Sequence, residues 1–126
     1  MTKRRVLVIE DDGLLALDLC DTLERVGLEV VGVATNVKDA LRLAKDRWPD
    51  VAIVDVRLSG RRDGIDAAHL LREQRDIGLV FLTASVERAV RERIADLEQA
   101  TFLSKPVSPK QVIAAVETAL ALSNVR

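Results

Sequence analysis

The stretch Val6-Leu7-Val8-Ile9-Glu10-Asp11-Asp12 joins four continuous apolar residues to three consecutive acids. A short, β-branched-rich run with no polar alternation is what a strand buried on both faces requires, and such strands belong to parallel sheets covered by helices above and below. Three later runs repeat the arrangement. Val51-Ala52-Ile53-Val54 ends in Asp55, Leu79-Val80-Phe81-Leu82 in Thr83, and Phe102-Leu103-Ser104 in Lys105-Pro106. A core needs none of these end residues. Acids, a hydroxyl and an ammonium at the C-terminal ends of parallel strands would meet on one edge of the sheet, where open α/β sheets place their ligands.

Between these runs the hydrophobic period becomes helical. From Leu14 to Val26 the residues Leu15, Leu19, Leu23 and Val26 share one stripe, and Gly27 stands where a glycine would end the helix. Leu28 to Val33 reads as a further strand. Asn36 is a predicted N-cap for a helix carrying Ala40, Leu41 and Ala44, which must stop before Pro49. After a polar loop at Ser59 to Arg62, Asp63 or Gly64 opens a helix through Ala67, Leu70 and Leu71. Ser85 is expected to cap the next, which runs to about Leu97. Ser108-Pro109 starts the last, with proline at the favoured first position and Val112, Ile113, Val116 and Leu120 inward. The sum is an α/β fold: one domain, a doubly wound (βα)₅ five-stranded parallel sheet with functional loops at the strand ends.

Length agrees, since 126 residues suit a single core. With 19 basic against 20 acidic side chains, the chain is nearly neutral, so direct nucleic-acid binding is not expected. No apolar stretch approaches the roughly 20 residues needed to span a bilayer, so membrane insertion is not expected either. The single Cys20 and the lack of a signal-peptide core point to a reducing cytoplasm.

Gathering Glu10, Asp11, Asp12 and Asp55 has an electrostatic cost. One close carboxylate pair near a protein surface repels by about 4 kcal/mol. A hard divalent cation relieves it, and Mg²⁺ prefers carboxylates, a backbone carbonyl, waters and phosphate oxygens. Lys105 supplies fixed positive charge. Asp55 follows the run expected to be most central, where a carboxylate can act as a nucleophile toward phosphorus. Thr83 could donate to a phosphoryl oxygen, and the small Ala84 leaves room for water or a donor. Asp12 is expected to face solvent at a helix start, where negative charge is favourable.

These residues, in this order and spacing, resemble the receiver domain of bacterial response regulators, the phosphoacceptor half of two-component signalling. The matching features are Glu10-Asp11, Asp55 within Val54-Asp55-Val56-Arg57-Leu58, Asp63-Gly64, Thr83-Ala84 and Lys105-Pro106, and they span essentially the whole chain. The resemblance implies a flavodoxin-like fold. It also implies Mg²⁺ held by Glu10, Asp11, Asp55 and the Arg57 backbone carbonyl, and a phosphoryl group passing to Asp55 from a sensor histidine kinase or a histidine phosphotransfer protein. Thr83 and Lys105 would read that group, and slow autodephosphorylation would follow, which makes the protein a switch rather than an enzyme. Phe102 falls at the family's switch-aromatic position, where many relatives carry Tyr; by its pattern alone it is equally a core residue. The responding surface would comprise the fourth helix, fifth strand and fifth helix, acting on an output protein or domain.

Leu14 and Leu17 lie off the core stripe beside the acids, and the resemblance makes them candidates for docking the phosphodonor. His69 has no second His or Cys near it in sequence and is read as a surface or packing residue. Arg57, Arg61 and Arg62 are read as a solvated loop. Two rivals remain. A phosphatase with an aspartyl nucleophile would commonly carry a second carboxylate two residues on, where this chain has Arg57. A phosphorylation-independent pseudo-receiver would lack a key group, and none is missing. Residues 1–126 are expected to form the receiver alone, without an output domain.

Overall fold

The computed structural model describes residues 3–58, 60, 62–85 and 87–125. Along them strands and helices alternate: β1 (Arg5–Ile9), α1 (Gly13–Arg25), β2 (Glu29–Ala34), α2 (Val37–Asp46), β3 (Val51–Asp55), α3 (Gly64–Gln74), β4 (Gly78–Thr83), α4 (Arg88–Ile94), β5 (Ala100–Ser104) and α5 (Pro109–Val125). All strand pairings are parallel and the spatial order is β2-β1-β3-β4-β5. This is the flavodoxin-like doubly wound sheet that the sequence pattern predicts. Its order reverses between β1 and β3, the switch point at which such sheets open a crevice.

Successive strand residues point to opposite faces, so the apolar runs build two cores. Leu7, Ile9, Ala52, Val54, Leu79 and Phe81 pack against Ala40 and Ala44 of α2, Leu71 of α3 and Ile94 of α4. Val6, Val8, Val51, Ile53, Val80 and Leu82 pack against Leu19 and Leu23 of α1 and Val112, Val116 and Ala119 of α5. Every residue of β3 is buried. At about 1.5–3 kcal/mol for each fully buried Val, Leu, Ile or Phe side chain, the central strands are the most firmly held part of the fold. They fix the positions of whatever follows them.

The helix ends largely follow the expected capping chemistry. Asn36 accepts from the Asp39 amide at 2.8 Å. Ser108 and Gln111 exchange side-chain to backbone bonds of 2.8 and 3.2 Å at the start of α5. Gly27 adopts a left-handed φ of 87°, with Gly27 N–H bonding Glu24 O and Leu28 N–H bonding Leu23 O, both at 3.1 Å, a Schellman ending.

Some expectations shift. Val26 falls on the C-cap of α1, past the last helical turn, and is exposed rather than part of the buried stripe. Ile113 and Leu120 are half-buried, whereas Val112 and Val116 carry the inner face of α5. Ser85 does not cap α4. Its carbonyl and amide are both bound to the Thr83 hydroxyl, which holds Ser85 in the turn after β4. The helix therefore starts later, from Glu87, and ends at Ile94.

Candidate functional site

Asp55 closes the central strand with its carboxylate almost wholly buried. Its Oδ1 accepts from the Arg57 amide at 3.1 Å and its Oδ2 from Lys105 Nζ at 3.0 Å. The lysine arrives through strand pairing: β5 lies beside β4, and Lys105 N–H donates to Thr83 O at 2.8 Å, which places its side chain over the end of β3. Lys105 Nζ also lies 3.4 Å from Glu10 Oε1. Glu10 is buried at the end of β1, tied by its amide to Ala34 O at 2.9 Å and through Oε2 to the Asp12 amide at 3.1 Å. Glu10, Asp11 and Asp55 each bring one carboxylate oxygen within 4.8 Å of the others.

One ammonium cannot neutralise three such carboxylates. Burial, together with the Asp55 carboxylate beside it, pushes the Glu10 carboxyl up to about 7. Burial alone would lower the Lys105 ammonium, but its hydrogen bond to Asp55 and the negative charge of Asp55 and Glu10 beside it outweigh that and raise it. Glu10 Oε1 is buried and makes no hydrogen bond within the protein. A buried oxygen whose partner is an ammonium 3.4 Å away, beside a second and a third carboxylate, is what a hard cation satisfies, and an all-oxygen set of this charge suits Mg²⁺.

Among the other expected residues, Asp12 is spent as the N-cap of α1, accepting from the Leu14 and Leu15 amides at 3.0 and 3.2 Å. This agrees with its reading as a helix-start residue. Thr83 is buried, and its hydroxyl donates to Ser85 O at 2.7 Å, facing the turn. Ala84 and Thr83 line a cavity of about 230 Å³ with Val56, Arg57, Ser85, Glu87 and Val90. Phe102 is half-buried, stacked on Phe81 with centroids 5.3 Å apart, and it borders an open cavity shared with Arg91, Ile94 and Ala95. It stands between core and helix. Leu14 and Leu17 are 80% and 67% exposed. His69 places Nε2 2.7 Å from Arg93 O, a packing contact. Arg57 and Arg62 are exposed, while Ser59 and Arg61 lie outside the described residues.

The sequence reading did not find why a glycine follows Asp63. A Cβ on Gly64 would stand 1.9 Å from the Asp55 carbonyl oxygen and 2.7 Å from Val54 Cγ1. The start of α3 presses directly on the backbone of Asp55. Nor did it find Arg93, whose guanidinium grips the Asp63 carboxylate at 2.6 and 2.9 Å. No local pattern marks a contact thirty residues apart.

The family model of the response regulator receiver domain matches residues 6–117. The chain belongs to that family. The receiver is 41% identical over 117 residues to the transcriptional regulatory protein PdtaR of Mycobacterium tuberculosis, covering 93% of this chain and 57% of the relative. It is 32% identical over 116 residues to the phyllosphere-induced regulator PhyR of Methylorubrum extorquens, covering 91% of this chain and 43% of the relative. The chain thus spans about half the length of these curated relatives. The signal receiver domain of a modulated diguanylate cyclase from Desulfovibrio desulfuricans superimposes with a TM-score of 0.89 at 31% identity, covering 98% of both chains. Receiver domains bind Mg²⁺ in an acidic pocket, and Glu10, Asp11 and Asp55 form such a pocket here. The family also implies dealings with kinases and output partners. No helix among the described residues is long and apolar enough to cross a membrane.

Proposed function

We propose that this receiver takes a phosphoryl group onto Asp55 from a phosphohistidine of a sensor histidine kinase or histidine phosphotransfer protein, in a Mg²⁺-dependent reaction in the cytoplasm. The observation that carries this reading is the 3.0 Å contact of Lys105 Nζ with Asp55 Oδ2, made beside the carboxylates of Glu10 and Asp11. An Asp55 oxygen attacks phosphorus, an O–P bond forms, and the P–N bond breaks with its electron pair leaving on the imidazole nitrogen, which takes up a proton. Held by Glu10, Asp11, Asp55 and the Arg57 carbonyl, Mg²⁺ would supply positive charge against the phosphoryl oxygens.

The chain's own groups do the rest. Phosphorylation adds charge of about −2. Lys105 exchanges its Asp55 oxygen for a phosphoryl oxygen, and the Thr83 hydroxyl leaves Ser85 O to donate to another. That movement vacates space beside Val90 and lets Phe102 turn, so that α4, β5 and α5 present a changed surface to an output domain or a separate partner. The exposed Leu14 and Leu17 offer the donor protein an apolar contact beside the acids. Ala84 leaves room for a water, so the acyl phosphate is lost slowly.

Incubation with phosphoramidate or acetyl phosphate and Mg²⁺, followed by intact mass, tests this. One labile phosphate should be gained by the wild type, and none by Asp55→Ala or without the metal. A wild type that gains none would instead be a phosphorylation-independent interaction module.

A further inference from the structure

The fourth helix is poorly held by the usual means. α4 has seven residues, Ile94 is its one buried residue, and Glu87 at its N-cap makes no side-chain capping bond. Val90 packs half-buried against the same core as Ile94, and a polar attachment comes from α3. Arg93 Nη1 and Nη2 donate to Asp63 Oδ2 and Oδ1 at 2.6 and 2.9 Å, and Nη2 reaches Asp66 Oδ1 at 3.3 Å. His69 Nε2 lies 2.7 Å from the Arg93 carbonyl, and Arg72 Nη2 donates to Glu98 O at 3.0 Å just beyond the helix. Asp63, Asp66, His69 and Arg72 lie three residues apart from the cap of α3 onward, and together they hold the C-terminal end of α4 and the turn after it.

The far end of this clasp is the phosphoacceptor. Asp63 Oδ1 also accepts from the Ile65 and Asp66 amides, fixing the first turn of α3. Gly64 in that turn donates to Val56 O at 3.0 Å and packs against the Asp55 carbonyl. A bidentate guanidinium–carboxylate pair is directional as well as attractive. A shift in the backbone after Asp55 therefore reaches α4 through two side chains.

We infer that Arg93 is a positioning residue of the switch: its fork on Asp63 couples the backbone beside Asp55 to α4, by a route separate from Thr83 and Phe102, and holds α4 in the position seen before phosphorylation. This rests on the phosphoacceptor reading above. Loss of the fork should shift the population toward the released helix, and reciprocity then requires a phosphoryl mimic to bind more tightly.

Two measurements on the full chain test this. Amide exchange of residues 88–94, taken without metal or mimic, should quicken about fivefold or more in Arg93→Ala, and beryllofluoride in Mg²⁺ should bind tighter by a similar factor. Asp63→Asn keeps a good N-cap but loses the charge, so it should do the same, and the double variant should add little. Arg93→Lys keeps the charge without the fork and should fall between. Faster exchange with unchanged beryllofluoride affinity would make the pair merely structural and overturn the coupling, as would unchanged exchange. Should the wild type itself fail to bind beryllofluoride, the phosphoacceptor reading falls and the coupling with it, while exchange would still report whether the clasp holds the helix.

Discussion

At the scale of single residues, Glu10 shows how the site's charge is poised. A carboxyl raised from its ordinary 4.5 to about 7 is largely protonated below neutrality, and a metal ligand must give up that proton. Apparent Mg²⁺ affinity should therefore fall about tenfold between pH 8 and pH 6, as one proton competes for one site. Isothermal titration across that range checks it, and Glu10→Gln should flatten the dependence while weakening binding. A pH-independent affinity in the wild type would mean that Glu10 is not a ligand.

At the scale of elements, the start of α3 determines how Asp55 is seated. Gly64 is required for space, since its φ is not in the left-handed region and the obstacle is the Asp55 carbonyl 1.9 Å from a built Cβ. Because backbone cannot step aside as a flexible side chain can, Gly64→Ala should lose about 3 kcal/mol, the upper end of ordinary overpacking. Urea unfolding would measure it. Gly13, with nothing near its Cβ position, is the control and should tolerate alanine within a few tenths of a kcal/mol. The same element carries an acid-sensitive tie. Burial would raise the Asp63 carboxyl, but the Arg93 fork and the Asp66 and Ile65 amides outweigh it and hold it below its ordinary 3.8.

For the whole molecule these two carboxyls act in opposite directions. Glu10, raised in the fold, adds stability that is complete below about 4.5 and is lost as pH climbs through about 7. Asp63, lowered in the fold, adds stability present above 3.8 and lost as pH falls through its depressed value. Metal-free protein should thus be less stable at pH 7.5 than at pH 5, and Mg²⁺ should restore most of the difference by replacing the proton on the acidic cluster. Chemical denaturation at both pH values, with and without MgCl₂, reads this directly. Metal-free stability that rises from pH 5 to 7.5 would contradict the assignment of Glu10.

What the sequence alone determined was local. The continuous apolar runs at 6–9, 51–54 and 79–82, the helical stripes between them and the capping signals at Asn36, Gly27 and Ser108 each depend on neighbours within a few residues, so they were legible, as were the types of residue at the strand ends. Element limits were less so where a side chain took an unexpected partner, as Thr83 did with Ser85. Only the tertiary structure decided the strand order that sets Lys105 over Asp55, the pressure of Gly64 on the Asp55 carbonyl and the grip of Arg93 on Asp63. Those contacts join residues up to fifty positions apart, and their geometry arises only when the strands pair and the helices pack across them.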